Sequence, residues 1–514
     1  MENICNEETH ALIKSTSHNG SNTHTHSLFH RSCSESKKLW QIAAPSIFTR
    51  LAMFSITVVT QSFAGHLADL DLAAISIACT VLISITFGFM LGMASALETL
   101  CGQAYGAGNH RMLGVYLQRS WVVLSLSSIL MLPLFVFATP LLKLVGQPVA
   151  VAEQAGLVAV WLIPFHLSFP FQFTLQRFLQ CQLKTGIVAW VSGVALAIHV
   201  LVSLVLVYRM RVGIVGTALS IGFSWWLSVL GMLGYTLFGG CPYSWTGFSA
   251  EAFVGLWEFF KLSLASGVML ALENFYYRLL LIVSGYMHNT EIAIDALSVC
   301  VTIFGWESMV PLAFLGATGV RVANELGAGN AKGAKFATVV SVVNTVVVGF
   351  IFWLVIVFFN KNLALIFTSS SSVIQMVNDL AMLLAFTVLL NCIQPVLSGE
   401  KASNTPCNIS TQLKFQFDIV AFAGICWSSG VAVGCGRQAV VAYINIGSYY
   451  LVGIPLGVLL GWLLPSNVVA MWSGMMSGTV VQTLILATIT MKYDWEKEVQ
   501  KVQILIEEEA TCNQ

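Results

Sequence analysis

The chain has 514 residues, of which 57% are hydrophobic and 9% charged, and its mean hydropathy is +0.80. These values exclude an ordinary soluble domain and predict that most of the chain lies in lipid. Lys and Arg together number 24, as do Asp and Glu, so no basic excess is available for a phosphate backbone and we expect no nucleic-acid partner.

Residues 1–38 are rich in Ser, Thr, Asn and His, a composition typical of a disordered tail. A metal-binding tract is the alternative, but nothing in the sequence organises the imidazoles, and we expect no bound metal. The segment has no apolar core of the kind found in cleavable signal peptides. The first hydrophobic helix is therefore expected to direct membrane targeting.

From Leu39 onward, apolar segments of about 20 residues follow one another with short connections, and each is long enough to cross a bilayer as a helix. They lack the alternation of barrel strands, so helices are predicted. The predicted spans are 40–64, 72–99, 115–142, 154–178, 187–209, 214–238, 258–286, 291–318, 336–366, 376–398, 438–464 and 468–491. We therefore predict an all-α membrane protein with about twelve transmembrane helices, six in residues 39–238 and six in 258–491, joined by a polar linker at 239–257.

The sequence GAGN occurs once in each predicted bundle, at residues 106–109 and 327–330, after the second helix of that bundle. GAGN is also a favourable turn sequence, so the match can arise without duplication. Both copies lie on the same predicted side of the membrane and precede a basic helix start. This arrangement favours a parallel repeat and two pseudo-symmetric bundles.

Most loop Lys and Arg residues lie on the side of the N-terminus, which predicts that this side is cytosolic. Arg209 and Arg211 are the main exceptions, on the predicted outer side. Residues 492–514 are amphipathic and acidic and are predicted to form a cytosolic C-terminal tail. Both termini are thus predicted to be cytosolic.

Four stretches of the sequence carry a family resemblance: CGQAYGAGNHRMLGVYLQRSW, VRVANELGAGN, MLALENFYYRLLLIVSG and VAVGCGRQAVVAYINIGSYYLVGIPLG. They are similar to the plant branch of the multidrug and toxic compound extrusion (MATE) family, from Leu39 to about Tyr493 apart from one segment. The resemblance implies a V-shaped pair of six-helix lobes and alternating access. It also implies cation-coupled efflux of organic cations, flavonoids, alkaloids, hormones or organic acids.

Glu273 is the leading candidate for proton coupling, because it lies well inside the first helix of the second bundle. An ionised side chain in mid-membrane is costly unless it is paired or neutralised. Desolvation favours the neutral form of such a carboxyl group, which allows it to bind and release a proton near physiological pH. The resemblance also implies proton coupling at this position. A structural ion-pair network that includes Arg278 is the alternative.

The same helix contributes several candidates for a substrate cavity. Tyr276 and Tyr277 follow Glu273 at i+3 and i+4, within reach of the carboxyl group or of an aromatic substrate. Core packing explains these rings equally well. Asn274 and Arg278 are included in the predicted cavity. Arg278 points about 140° away from Glu273, in a direction from which it can reach a carboxylate on another helix.

The next helix contains Asp295 near its outer end and Glu307 near its middle, and both are included in the predicted proton-coupling set. They lie about 120° apart around the helix and about 18 Å apart along it, so they cannot form one compact site. Asp295 is either a coupling group or a helix-end carboxylate. For Glu307 a cavity or coupling role is favoured.

The first helix of the first bundle contains Arg50 and Gln61 but no carboxylate, so proton coupling is predicted in the second bundle. Glu98 lies near a helix end and is interpreted as structural. Other polar side chains in apolar helices either line the substrate cavity or form hydrogen bonds between helices. These residues are Gln61, Gln172, Gln176, Asn391 and Gln394.

Residues 400–430 interrupt the family pattern, and their removal joins PVLSG to VAVGCGRQ, the form that the resemblance predicts. Both sides of the junction end in Ser-Gly, at Gly399 and Gly430, as in-frame intron retention would produce. We interpret the segment as a retained intron, with a regulatory loop as the alternative.

The sequence as a whole predicts an antiporter and not an enzyme, because it lacks HExxH, G-x-S-x-G and clustered His ligands in its helices. A receptor is disfavoured by the duplicated bundles. The expected partners are a small organic substrate, a proton and the lipid bilayer, with no cofactor and a monomeric state. Sodium remains an alternative coupling ion, and the membrane is either the plasma membrane or the vacuolar membrane.

Overall fold

A computed structural model describes residues 24–284, 290–368, 370–393, 438–464, 468–491, 496–497 and 499–504. Within these ranges the chain forms α-helices with short π-helical and 3-10 turns. Residues 1–23, Gln394 and the predicted insertion at 400–430 lie outside the described residues.

The first half of the described chain contains nine α-helices. They are α1 (His24–Gly65), α2 (Asp69–Ile77), α3 (Ser84–Gly106), α4 (His110–Val136), α5 (Ala138–Leu144), α6 (Val149–Trp161), α7 (Ile163–Cys181), α8 (Thr185–Ser203) and α9 (Ile214–Tyr235). A π-helical turn at Ala78–Ile83 joins α2 to α3, so that the two form one continuous segment.

The second half begins after a 3-10 turn at Ala250–Phe253 and contains seven α-helices in its described part. They are α10 (Leu256–Ser284), α11 (Thr290–Gly327), α12 (Ala331–Phe367), α13 (Ser371–Ile393), α14 (Gln438–Asn445), α15 (Ile454–Leu463) and α16 (Val468–Met491). A π-helical turn at Ile446–Gly453 joins α14 to α15.

Each predicted span corresponds to one of these helical segments. In the described part, nine helices are long and apolar enough to cross a membrane, and α6 with α7, bent by 49°, would make a tenth. The bend falls where Pro164 lies in the first turn of α7, a position at which its missing N–H costs no hydrogen bond. The two remaining predicted spans are α10 and α16, and α10 carries Glu258, Lys261 and Glu273 in its sequence.

The prediction of a disordered tail up to residue 38 was wrong for residues 24–38, because α1 begins at His24. The composition of this segment gives no indication of the contacts that the start of α1 makes with the second half. Ser36 Oγ and Trp40 Nε1 each donate a hydrogen bond of 2.9 Å to Asn344 Oδ1 on α12. Glu35 also forms an ion pair of 2.7 Å with Arg321 on α11. Tertiary packing of this kind stabilises a helix that its own sequence does not strongly favour.

The linker between the halves packs on α4 of the first half, as the start of α1 packs on the second half. Gln118 of α4 donates to the carbonyl of Gly247 and accepts from the N–H of Ser249, both at 2.9 Å. Arg111, also on α4, pairs with Glu251. The N-terminal part of α1 and the linker before α10 therefore each pack on the helix that follows GAGN in the other half.

The two GAGN copies also adopt equivalent positions. Gly108 and Gly329 both have positive φ, 77° and 73°. A methyl group on Gly106 would collide with the carbonyl oxygen of Asn324, and one on Gly327 would collide with that of Gln103. The ends of α3 and α11 are therefore in backbone contact at the face that we call the GAGN side, where the two halves close on each other.

Candidate functional site

Glu273 lies in the middle of α10 and is part-buried. Near it, two side chains from the α14–α15 segment donate hydrogen bonds to backbone carbonyls of α10. Asn445 Nδ2 donates to the carbonyl oxygen of Met269 at 3.2 Å, one turn before Glu273. Tyr450 donates through its hydroxyl to the carbonyl oxygen of Leu272 at 2.9 Å. The helix turn that carries Glu273 is thus held from outside by two polar side chains.

These contacts belong to a larger hydrogen-bonded group. Gln482 Nε2 donates to Asn445 Oδ1 at 2.6 Å, and the Tyr449 hydroxyl donates to Gln482 Oε1 at 2.6 Å. The ring of Tyr276 stacks on that of Tyr449, with centroids 4.2 Å apart and an interplanar angle of 13°. We call Tyr276, Asn445, Tyr449, Tyr450 and Gln482 the tyrosine network. It joins α10 to the α14–α15 segment and to α16.

The π-helical turn at Ile446–Gly453 explains how consecutive tyrosines reach the same helix. Successive residues of an α-helix point about 100° apart. Tyr449 contacts α10 through the Tyr276 ring and Tyr450 contacts it through the Leu272 carbonyl. Wide π-helical turns are frequent at functional sites, where they redirect side chains in this way.

Tyr276 was predicted to line a substrate cavity, and the structure places it within the helix packing. Its side chain is 1% exposed, and its hydroxyl donates to the carbonyl oxygen of Met475 on α16. In this conformation Tyr276 contacts other helices, which is the core-packing alternative considered for it.

Glu307 lies in a separate cluster, where α11 contacts α13. Cys392 Sγ donates to Glu307 Oε1 at 2.9 Å, and Asn391 Nδ2 approaches Glu307 Oε2 at 3.4 Å. The glutamate is 4% exposed. The structure therefore brings together Glu307 and Asn391, two of the predicted residues, and adds the Cys392 thiol, which was not among them.

The remaining predicted site residues belong to neither the tyrosine network nor the Glu307 cluster. Asp295 is exposed near the start of α11, and Gln61 is part-buried on α1. The side chains of Asn274, Tyr277 and Arg278 lie outside the part that the structure describes, as does Gln394. Their assignment to a substrate cavity stays a prediction.

The first half contains a buried ion pair whose arginine was not predicted from the sequence. Arg177 of α7 forms an ion pair of 2.6 Å with Glu98 of α3, and the side chains are 3% and 2% exposed. Arg177 Nη1 also donates to Gln180 Oε1 at 3.2 Å, and Gln180 Nε2 donates to Ser46 Oγ at 2.7 Å. The available signal was Arg177 itself, a charged residue inside a predicted span.

Comparisons with known proteins agree with this architecture. The MatE family model matches residues 45–205 and 265–401. Protein DETOXIFICATION 27 of Arabidopsis thaliana is 53% identical over 473 residues, which cover 92% of this chain and 91% of that protein. Protein DETOXIFICATION 26 of the same plant is 50% identical over 473 residues, covering 92% and 90%.

Solved structures show the same fold. The crystal structure of the eukaryotic MATE transporter AtDTX14 superposes with a TM-score of 0.80 at 32% identity, covering 92% of this chain and 99% of that one. The Vibrio cholerae MATE transporter VcmN in its bent form superposes with a TM-score of 0.69 at 17% identity, over 92% of this chain and 99% of that one. These likenesses confirm the predicted all-α, V-shaped architecture with two bundles.

Proposed function

Because this chain belongs to the MATE family of integral membrane transporters, we propose that it exports small organic compounds in exchange for protons. Its relatives are transporters and not enzymes. The name DETOXIFICATION that the Arabidopsis relatives carry supports xenobiotics or plant secondary metabolites as the substrate class. In a carrier of two related bundles, movement of one bundle against the other exposes a central cavity to each side in turn.

The observation that carries the proton assignment is that Glu273 lies on the helix turn whose carbonyls the tyrosine network binds. A carboxyl group in mid-membrane is stable only if it is paired or protonated. Tyrosine hydroxyls and the amides of Asn445 and Gln482 can each donate or accept hydrogen bonds. Such groups can adjust to either protonation state of a neighbouring carboxyl group. Glu273 is therefore suited to bind a proton on one side of the membrane and to release it on the other.

The network also provides a route from proton binding to movement. The carbonyls of Met269 and Leu272 accept bonds from Asn445 and Tyr450, which lie on the α14–α15 segment. A change of charge at Glu273 alters the electrostatic field at these bonds, and thus the relative stability of two packings of α10. A proton shifts the conformational equilibrium only by its difference in affinity for the two states. Glu307 and Asp295 are proposed as further coupling groups of the same half.

We also propose that the GAGN side is cytosolic, with both termini on that side, since the loops there carry most of the basic residues. The contacts on this side are the pair of Arg321 with Glu35 between the two halves, at 2.7 Å, and the pair of Arg111 in the first half with Glu251 of the linker. Export then proceeds by breaking these contacts to admit substrate and re-forming them to release it outside. The transporter acts as a monomer in the plasma membrane or the vacuolar membrane.

A gradient experiment with purified protein in liposomes tests this proposal. An imposed proton gradient is expected to drive accumulation of the cationic dye ethidium, and an equal sodium gradient at uniform pH is not. Glu273→Gln should abolish the response to the proton gradient. Glu258→Gln, an exposed glutamate on the same helix that pairs with Lys261 at 2.7 Å, is the matched control and should transport normally. Accumulation driven by sodium alone would reject proton coupling in favour of the sodium alternative.

A further inference from the structure

One side of the linker at 239–257 is fixed to the first half by polar contacts. Ser244 Oγ donates a hydrogen bond of 2.9 Å to Gln182 Oε1, just before the start of α8. Lys184 Nζ, in the same turn, donates to the carbonyl oxygen of Gly240. Together with the bonds of the linker to α4, these contacts give it a defined course along the first half.

The other side of the linker is aromatic and open to the surroundings of the protein. In the described part of the chain, five aromatic side chains within the linker or next to it are 64–91% exposed. We call them the linker aromatics, and they are Phe238, Tyr243, Phe248, Phe253 and Trp257. By contrast, Ser244 and Ala252 in the same segment are 4% and 2% exposed. The linker therefore has a polar, packed side and an apolar, exposed side.

The level of the linker in the membrane follows from its contacts along α4. A methyl group on Gly114 would collide with the carbonyl oxygen of Ser244, and the rings of Trp245 and Trp121 pack with centroids 5.8 Å apart. Residues 121–136 of α4 have no charged side chain and extend about 24 Å, which is most of the thickness of a hydrocarbon core. The linker thus lies beside the end of this apolar stretch, at the boundary between hydrocarbon and headgroups.

The GAGN turn of the same half lies farther from the hydrocarbon. Helix α4 begins at His110, and Gln118, which binds the linker, follows it by eight residues, or about 12 Å along the axis. Ala107, on the turn itself, is exposed. The linker and the GAGN turn are therefore at different depths on the same side of the membrane.

The aromatic side of the linker continues into α10. The ring of Trp257 stacks on that of Phe260, with centroids 5.6 Å apart, and Lys261 Nζ lies 5.5 Å from the centre of the Trp257 ring. A lysine beside a tryptophan is typical of a membrane boundary, where the ring lies at the headgroups and the ammonium group extends into water.

We propose that the linker is an interfacial membrane anchor, and that the linker aromatics insert among the headgroups of the phospholipid bilayer. Aromatic rings concentrate at this level of a membrane, and an exposed apolar patch marks a contact surface. The bilayer is the occupant that the depth of the linker favours. The anchor would hold the connection between the two halves at one level while they move, whatever the substrate or the coupling ion.

The charge of the linker specifies how it binds. Glu251 is the only charged residue in 239–257, and it pairs with Arg111. The linker therefore offers no unpaired charge to an anionic headgroup or to a charged protein surface. Insertion is driven by removal of apolar area from water, and it should not depend on the charge of the lipid.

Spin labels on the full-length, cysteine-depleted protein in phosphatidylcholine nanodiscs test the depth of the linker. Oxygen is concentrated in hydrocarbon, whereas a neutral nickel chelate is concentrated in water. The label in Phe248→Cys should collide more often with oxygen than with the chelate. The label in Ala107→Cys, on the GAGN turn, is the matched control and should show the reverse. Addition of phosphatidylserine should change neither result.

A label in Trp257→Cys tests whether the linker aromatics hold the segment in the bilayer. The paired changes Phe248→Ser and Phe253→Ser should shift this label toward the chelate. Trp190→Ser, which removes an exposed aromatic side chain of α8 outside the linker, should leave it unchanged.

Three results would overturn the proposal. An equal preference for the chelate at positions 248 and 107 would place the linker aromatics in water. Low accessibility to both reagents at position 248 would show that protein covers them. Insertion only in the presence of phosphatidylserine would mean that charge, and not apolar area, holds the linker. None of these measurements involves a substrate or a proton gradient, so their outcome is separate from that of the export proposal.

Discussion

Three glutamates within the apolar helices have different neighbours. Glu98 is paired with Arg177, which is in keeping with its interpretation as a structural group. Glu307 accepts hydrogen bonds from a thiol and an amide. Glu273 lies on the helix turn that the tyrosine network holds. We therefore expect different consequences when each carboxylate is replaced.

Glu307→Ala tests the cluster between α11 and α13. The change leaves the buried amide of Asn391 and the thiol of Cys392 without their acceptor, at a cost of about 1–3 kcal/mol. The apparent Tm should fall, and Glu307→Gln, which keeps one acceptor oxygen, should lower it by less. Intrinsic fluorescence in detergent measures the Tm of both variants. An equal fall in Tm for the two would contradict the assigned hydrogen bonds.

The candidate acids could be predicted from the sequence, but their partners could not. Glu273 and Glu307 stand out because they interrupt apolar segments. Tyr449 and Gln482 look like ordinary polar residues of late helices, more than 170 positions from Glu273. Their relation to α10 depends on tertiary packing and on a π-helical turn, and neither leaves a readable periodicity in the sequence.

At the scale of the helices, hydropathy located each span but misplaced the ends next to GAGN. The second span of each half was predicted to end at 99 and 318, whereas α3 ends at Gly106 and α11 at Gly327. The helices continue beyond the apolar run because their polar last turns pack against each other. A hydropathy pattern indicates whether a segment lies in lipid or in water. It contains no information about contacts with the end of a neighbouring helix.

Gly327→Ala tests this helix contact. The added methyl group would collide with the carbonyl oxygen of Gln103, and such overpacking costs about 1–3 kcal/mol. Gly305→Ala on the same helix is the matched control, since nothing lies within 4 Å of its added methyl group. We expect a lower apparent Tm for Gly327→Ala and an unchanged or higher one for Gly305→Ala, as Ala favours helices. Similar Tm values for the two variants would count against backbone contact at this site.

For the whole molecule, the contacts between the halves follow the internal repeat. The N-terminal part of α1 packs on α11 and α12, while the linker packs on α4. The repeat itself was visible as two GAGN copies, but this exchange of segments was not. It joins residues roughly 300 positions apart at the N-terminal segment and about 130 apart at the linker. The N-terminal segment was consequently assigned to a disordered tail up to residue 38.

Glu35→Gln tests whether these contacts hold the GAGN side closed. Arg321 and Glu35 are each 10% exposed, so their pair is screened less than a surface pair. Spin labels at Ala107 and Ala328, exposed equivalents in the two GAGN copies, report the separation of the halves in a cysteine-depleted protein. Glu35→Gln should add a population at longer distance. Glu258→Gln, which removes an exposed charge within α10, should leave the distance distribution unchanged. An unchanged distance distribution for Glu35→Gln would show that the pair does not hold this side closed.

In the proposed mechanism, Glu273 is the group that carries the proton. A pH-sensitive dye trapped inside liposomes measures the proton movement that accompanies ethidium transport, while exchange of internal for external ethidium without a gradient measures substrate binding and passage. For Glu273→Gln we expect ethidium exchange near the wild-type rate and no accompanying proton movement. Proton movement at the wild-type ratio in this variant would show that Glu273 does not carry the proton.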